Sequence, residues 1–221
     1  VANVDYPPNG VANFAIMLML MSLRKAGHIL KRGELQDYSL KGKIGRDISN
    51  CTVGVIGTGR IGQTVLKHLS GFGCELLAYD LYQNDEVKKI AKYVPLETLI
   101  AESDVITLHT NATEENHHLL NADAFAKMKD GTILINTARG GLIVEEALVD
   151  ALQSGKVYGA GLDVIRDEPP KGDNPLLHQD NAAITAHIAW LTRASRLRAI
   201  DIAIDNFKAY LRGEPVSVIN K

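Results

Sequence analysis

Residues 52–62 read Thr52-Val-Gly-Val-Ile-Gly57-Thr-Gly59-Arg-Ile-Gly62, and this stretch decides the fold. The β-branched run 52–56 predicts a short buried strand. A G-x-G-x-x-G turn follows it and opens a helical pattern carried by Ile61, Val65, Leu66 and Leu69. Gly57 permits the tight turn, Gly59 lets the main chain approach a pyrophosphate, and Gly62 lets the helix sit close to the strand. The N–H groups of Arg60 and Ile61, with the positive end of the helix dipole, then face an anion. Three glycines in a turn also occur with no ligand. Here a second strand, 75–79, ends at Asp80, 18 residues after Gly62. A carboxylate at that place accepts from both ribose hydroxyls and repels a 2′-phosphate. No Arg or Lys follows it at once, so the pattern predicts a dinucleotide site that favours NAD over NADP.

Outward from this unit, strand and helix alternate. Strands are expected at 104–109, at 132–136, within 157–164 and at 182–185. Helices are expected at 94–101, 123–128, 145–152 and 191–211, the last two closed by Gly155 and Gly213. Upstream, Pro7-Pro8-Asn9 stops an extended lead-in, and Asn9 caps one helix from residue 11 to about 31 that ends near Gly33. Residues 34–50 read as a connecting loop. There is no internal repeat. Short buried strands alternating with helices mean an α/β fold, a parallel sheet wrapped by helices. Ligands bind such sheets at the carboxyl ends of the strands, here after Ile56, Tyr79, His109, Asn136, Leu162 and Thr185.

Composition bounds the function. The 221 residues are 46% hydrophobic and 23% charged with a net charge of −2, an ordinary globular balance. No basic footprint stands out, so no nucleic-acid partner is expected. Two cysteines, Cys51 and Cys74, make no disulfide framework and point to a reducing, cytoplasmic compartment. The most apolar stretch, 14–23, is closed by Arg24 and Lys25, about half the roughly 20 residues that a membrane span needs. No basic segment precedes it, so it does not read as a signal peptide. A helix apolar all round must be covered on more than one side, and a homodimer through this helix is expected.

Three polar residues follow later strands. Arg139 lies in Asn136-Thr-Ala-Arg139-Gly-Gly, where a guanidinium can grip a carboxylate with two parallel hydrogen bonds. The commoner fate of an Arg is a surface ion pair. Glu168 lies in Asp167-Glu168-Pro-Pro and His187 in Thr185-Ala-His187-Ile-Ala-Trp190. A lone His is more often structural. A carboxylate on the neighbouring loop of one cleft would orient the ring, and such a His can give a proton to a carbonyl oxygen. His117-His118 has no further ligand set of suitable spacing, so no metal is expected.

Taken together, GTGRIG (57–62), the Asp80 strand end, INTARGGLI (135–143), GAGLDV (159–164), DEPP (167–170) and TAHIAW (185–190) resemble the D-isomer-specific 2-hydroxyacid dehydrogenases. The resemblance covers most of residues 1–213, in the family's order. It implies a Rossmann-type doubly wound parallel sheet, NAD as cofactor, and a small 2-keto or 2-hydroxy acid as substrate. It places Arg139 on the substrate carboxylate and keto oxygen, His187 as general acid/base and Glu168 as its partner. It places Arg60 and Ile61 on the pyrophosphate, Asp80 on the adenosine ribose and Asp163 on the nicotinamide amide. Thr110, Asn111 and Asn116 match cofactor-lining positions, and Thr137 and Ala138 would meet the nicotinamide ring through their backbone. His187 and Arg139 also border the cofactor.

Residues 172–177 and 187–190 are similar to glycerate dehydrogenases, also called hydroxypyruvate reductases. Residues 71–74 and 78–80 are similar to D-lactate dehydrogenases. The expected reaction is hydroxypyruvate or glyoxylate to D-glycerate or glycolate. Pyruvate reduction and a dinucleotide-sensing corepressor are the alternatives, the latter needing none of Arg139, Glu168 and His187. Two positions depart from the family: Ala186 and Asn111 stand where it usually carries Pro. Members also begin with a substrate domain, which is expected to be largely absent from this chain. Residues 1–192 would form the dinucleotide-binding domain, with 1–33 its lead-in strand and long interface helix. Residues 193–221 would form a helix and tail returning towards the substrate domain.

Overall fold

A computed structural model describes residues 7–219. The extended lead-in expected before Pro7 lies outside the described residues. Helix α1 (Asn9–Leu23) is followed by α2 (Ala26–Glu34) and an irregular segment to residue 47. Then come β1 (Thr52–Ile56), α3 (Arg60–Leu69), β2 (Glu75–Tyr79), α4 (Asp85–Lys88), β3 (Lys92–Tyr93), α5 (Leu96–Glu102) and β4 (Val105–Leu108). The second half runs α6 (Ala122–Lys127), β5 (Thr132–Asn136), α7 (Glu145–Gln153), β6 (Val157–Leu162), β7 (Ala182–Ile184) and α8 (Arg193–Leu211).

The strands form one seven-stranded sheet in the order β3-β2-β1-β4-β5-β6-β7. Each neighbouring pair is parallel. Strand side chains alternate between two cores, as a sheet covered on both faces requires. Val53 and Val55 of β1 join Ile133 and Ile135 of β5 under α1 and α3, with Leu18, Met19, Val65 and Leu66. Ile56 of β1 joins Leu108 and Leu134 on the opposite face, with Leu99, Phe125, Leu148 and Leu152. This is the doubly wound α/β arrangement, and β1 and β4 flank the point where strand order reverses. Ligand crevices open there, beyond the carboxyl ends of the strands.

Two expectations about the first helix are corrected. Pro8, not Asn9, occupies the N-cap of α1, and no side chain caps that end. The single helix to about residue 31 is two helices. Lys25 takes a left-handed conformation at φ 52, and Arg46 N donates to Leu23 O at 3.0 Å, supplying a partner to a carbonyl at the end of α1. Past Leu23 the chain leaves the sheet, and α2 has no buried residue to hold it in line with α1.

Much of the apolar surface of α1 is covered within the chain. Ala12, Ala15, Leu18, Met19 and Leu23 are buried by the chain's own α3, β5 and β6. Exposed large apolar side chains include Met17 of α1, Leu35, Tyr38, Leu40 and Ile44 after α2, and Leu197, Ile200 and Phe207 of α8. No helix among the described residues is long and apolar enough to cross a membrane.

Candidate active site

The glycine turn is fixed from several sides. Gly57 has φ 94, and a Cβ there would stand 2.7 Å from the carbonyl carbon of His109. At Gly62 a Cβ would stand 1.9 Å from Gly57 O, so α3 meets the turn at a distance no side chain allows. At Gly59 a Cβ would meet nothing within 4 Å, so this glycine is open to the cleft. Gly57 N donates to Tyr79 O at 2.8 Å, and Gln63 Nε2 donates to Thr58 O at 2.8 Å. The turn therefore belongs to β1, β2 and α3 at once.

A cleft of about 910 Å³ opens over this turn, within the usual size of small-molecule sites. Gly57, Gly59, Arg60, Ile61, Asp80, Thr110, Asn111 and Asn116 line it, and Gly62 lies just beneath. Asn116 Oδ1 accepts from Thr113 N at 2.7 Å and its Nδ2 donates to Asn111 O at 2.7 Å, which sets the 111–116 wall. His109 also lines the cleft and was passed over in the sequence. Its Nε2 lies 2.9 Å from Thr107 Oγ1, and desolvation of the ring holds its pKa down at about 3. It is neutral at physiological pH and adds no charge to the cleft.

The remaining residues gather at the ends of β5, β6 and β7. Buried Asn136 shapes the Arg139 turn: its Oδ1 accepts from Ala138 N and its Nδ2 donates to Arg139 O, both at 2.9 Å. Arg139 itself is exposed. A Cβ on Gly140 would stand 2.0 Å from Ile165 O, so this turn abuts the chain that leads to Glu168. Glu168 Oε1 accepts from Ile165 N at 3.0 Å, and Glu168 Oε2 meets His187 Nδ1 at 2.5 Å. The expected carboxylate and imidazole are thus in contact. Glu145, not singled out in the sequence, accepts from Arg166 N and from Asn174 Nδ2, holding the base of the Glu168 loop.

Asp163 is tied into the neighbouring loop. It is 1% exposed. Its Oδ1 accepts from Thr185 Oγ1 at 2.6 Å and Ile188 N at 2.9 Å, and its Oδ2 accepts from Ala189 N at 2.7 Å. His187 N donates to Asp163 O at 2.8 Å, and Trp190 Nε1 to His187 O at 3.1 Å. Asp163 therefore anchors the loop that carries His187, a residue at φ 55.

The two halves are joined by the chain itself. After the 111–116 wall, His118 N donates to Gly141 O at 2.9 Å and Leu120 N to Leu142 O at 3.0 Å. The His117 and His118 rings stack at 3.7 Å, and no ligating group of three or more His, Cys, Asp or Glu occurs among the described residues. A second cavity of about 340 Å³ involves Lys25, Tyr158 and Asp180, near the amino ends of β6 and β7 and away from these groups.

These residues fit a dinucleotide. Gly59 leaves the approach to the turn bare, and Asp80 stands at the end of β2. Thr137 Oγ1, beside the Arg139 turn, is buried with no hydrogen-bond partner. Such an orphan is costly unless a ligand or solvent satisfies it.

Comparison with known proteins gives the same picture. The sequence profile of the D-isomer-specific 2-hydroxyacid dehydrogenase NAD-binding domain matches residues 16–189. A hydroxypyruvate reductase of Blautia hydrogenotrophica is 44% identical over 100% of this chain and 71% of its own length. An aromatic 2-oxoacid reductase of Clostridium sporogenes is 38% identical over 95% of this chain and 68% of its own. The solved D-lactate dehydrogenase with NAD+ from Lactobacillus jensenii superposes with a TM-score of 0.91 at 32% identity, covering 100% of this chain and 72% of that one. With one family's profile matching most of its length and relatives of this similarity spanning it, the chain belongs to the D-isomer-specific 2-hydroxyacid dehydrogenases and is an NAD-dependent oxidoreductase.

Proposed function

We propose that the protein interconverts a 2-keto acid and a D-2-hydroxy acid, with Arg139, Glu168 and His187 as the residues that do so. The observation that carries this is the 2.5 Å contact between His187 Nδ1 and Glu168 Oε2. It commits one ring nitrogen to the carboxylate and leaves Nε2 to serve the substrate. NADH, when bound, would supply the hydride that the keto carbon takes up. His187 Nε2 gives its proton to the keto oxygen as the carbonyl bond becomes the hydroxyl. The Arg139 guanidinium holds the carboxylate and polarises the carbonyl. Gly57, Gly59, Arg60 and Ile61 would hold the pyrophosphate and Asp80 the adenosine ribose. Thr137 and Ala138 would border the nicotinamide.

Hydroxypyruvate or glyoxylate is the preferred substrate in this reading, supported by likeness to the Blautia hydrogenotrophica reductase. Reduction of pyruvate is the second reading, supported by the match to D-lactate dehydrogenases. NADH oxidation assayed with hydroxypyruvate, glyoxylate, pyruvate and phenylpyruvate separates them. The expected order is hydroxypyruvate first, and a higher kcat/KM for pyruvate or phenylpyruvate overturns it. His187→Ala should lose roughly 10²–10⁴-fold in turnover. A variant with near-normal turnover would refute its assignment as proton donor. Retained Arg139, Glu168 and His187 weigh against a pure sensor.

The same proposal includes a homodimer, formed through α2 and its following segment. Leu35, Tyr38, Leu40 and Ile44 are 72%, 88%, 83% and 80% exposed. The segment is nonetheless built. Asp37 Oδ1 accepts from Ser39 N at 2.9 Å, its Oδ2 pairs with Arg32, and its carbonyl accepts from Lys43. The hydrogen bonds from Ser39, then that from Arg32, hold the Asp37 carboxyl well below the usual carboxylate range. An arm held by the largely covered Asp37 and Lys43, with its apolar side chains projecting, suits a protein partner. Light scattering on Leu40→Asp should show dissociation relative to the unmodified protein. Free cysteines 51 and 74 accord with a reducing, cytoplasmic location.

A further inference from the structure

We infer that Tyr93, acting through Thr58, is a positioning residue that locks the Asp80 carboxylate and so sets the preference for a dinucleotide with a free adenosine ribose over one bearing a 2′-phosphate. The inference rests on the proposed placement of Asp80 at the ribose and adds how that carboxylate is held.

The path is a directed chain of hydrogen bonds. Asp80 Oδ2 accepts from Thr58 N at 2.6 Å and from Thr58 Oγ1 at 3.1 Å. Thr58 is 3% exposed, and its Oγ1 lies 2.7 Å from the Tyr93 hydroxyl. That hydroxyl accepts from Asn84 N at 3.0 Å. An ionised carboxylate only accepts, so the Thr58 hydroxyl proton points to Asp80. The bond between Thr58 and Tyr93 must then be donated by Tyr93. Each proton along Asn84, Tyr93, Thr58 and Asp80 thus has one direction.

Two consequences follow for the ligand. An ionised carboxylate offers about four acceptor positions. Thr58 fills two on Oδ2, and Tyr82 N fills one on Oδ1 at 3.0 Å. One position on Oδ1 remains for a ribose hydroxyl. The bonds to Thr58 also prevent the carboxylate from swinging away, so a 2′-phosphate meets a fixed negative charge. Tyr93 reaches this place because β3 pairs with β2 in the register Ala78↔Tyr93, two residues before Asp80.

Calorimetric titration of NADH and NADPH into the intact protein tests this without reference to turnover. Tyr93→Phe should weaken NADH by about 3- to 10-fold, the usual worth of one lost hydrogen bond. NADPH should weaken less, so that the ratio of the two dissociation constants falls. Thr58→Val should act in the same direction, and Thr58→Ser, which keeps the hydroxyl, should restore the ratio. In an Asp80→Ala background Tyr93→Phe should leave the ratio where Asp80→Ala put it. If Tyr93→Phe and Thr58→Val shift both dinucleotides equally, or neither, while Asp80→Ala lowers the ratio, the relay is wrong and the ribose placement stands. If Asp80→Ala leaves the ratio unchanged, the ribose placement fails and this inference with it. Thr58→Val decides the question should Tyr93→Phe not fold.

Discussion

Replacing Asp163 by Asn should damage the protein far more than the loss of one charge suggests. Asp163 Oδ1 takes Thr185 Oγ1 and Ile188 N, and Oδ2 takes Ala189 N. The amide of Asn supplies one acceptor oxygen and two donor hydrogens. If its oxygen keeps the Oδ1 position, its NH₂ faces the Ala189 N–H. If it flips, the NH₂ faces Ile188 N–H. Either orientation sets donor against donor at a site that is 1% exposed. One charge-assisted bond is lost, worth about 1.5–3 kcal/mol, and a buried N–H is left unpaired at about 1–3 kcal/mol. Local relaxation recovers part of that sum, so the expected loss of stability is about 2–4 kcal/mol. Urea unfolding at neutral pH measures it, with Asp180→Asn as the control on a fully exposed carboxylate. The same variant should lower turnover with a smaller effect on NADH affinity, because the glycine turn and Asp80 lie on other strands. Stability within about 0.5 kcal/mol of the unmodified protein, the range of ordinary surface changes, would refute the anchoring role.

Three further outcomes are expected. Glu168→Gln should lower turnover less than His187→Ala, and the double variant should be no worse than His187→Ala alone, because the pair acts as a unit; steady-state kinetics with a 2-keto acid checks this. Gly62→Ala puts a methyl group 1.9 Å from Gly57 O, so dinucleotide affinity by calorimetry should fall at least about tenfold, whereas Gly59→Ala, with an open surround, should leave the fold intact. His109 has its pKa lowered from 6.5 to about 3, so below pH 6.5 the unfolded chain binds a proton that the folded one refuses. Stability should therefore fall as pH drops from about 6.5 towards 3, by at most a few kcal/mol for this group. His109→Gln should flatten that part of the profile, and an unchanged slope between pH 7 and 4.5 would count against it.

The repeating core of the fold was legible because its signals are local. Strands β1, β2 and β5 fall on the residues that their β-branched and apolar runs mark, and the glycine turn sits where the motif puts it. Helix α4 and strand β3 were not legible, since four and two residues carry no period. The site shows the same division. Glu168 and His187 announce themselves by type and by place after successive strands. Thr58 and Tyr93 do not, because their bond spans 35 residues and depends on a two-residue edge strand. Asp163 was visible at a strand end, but its anchoring bonds were not, because they reach residues 22 to 26 positions later.

The first helix shows what composition alone leaves open about assembly. A helix apolar on all sides can be covered by another copy or by its own domain, and the sequence does not distinguish them. Here the sheet beneath α1 makes the difference. Strand β6 carries Gly159 and Gly161, and a Cβ at Gly161 would stand 2.8 Å from Leu18 Cβ and 3.0 Å from Ile135 Cδ1. The bare strand lets α1 approach, while α3 packs beside it. Most of the apolar surface of α1 is therefore satisfied within the chain, with Met17 among the side chains left outside at 40% exposure. The surplus moves downstream to α2 and the arm, where apolar residues are interspersed with charge and give no continuous hydrophobic run. The proposed surface for a second copy lies where the chain leaves the sheet at Lys25, where Leu35, Tyr38, Leu40 and Ile44 project without a core to receive them.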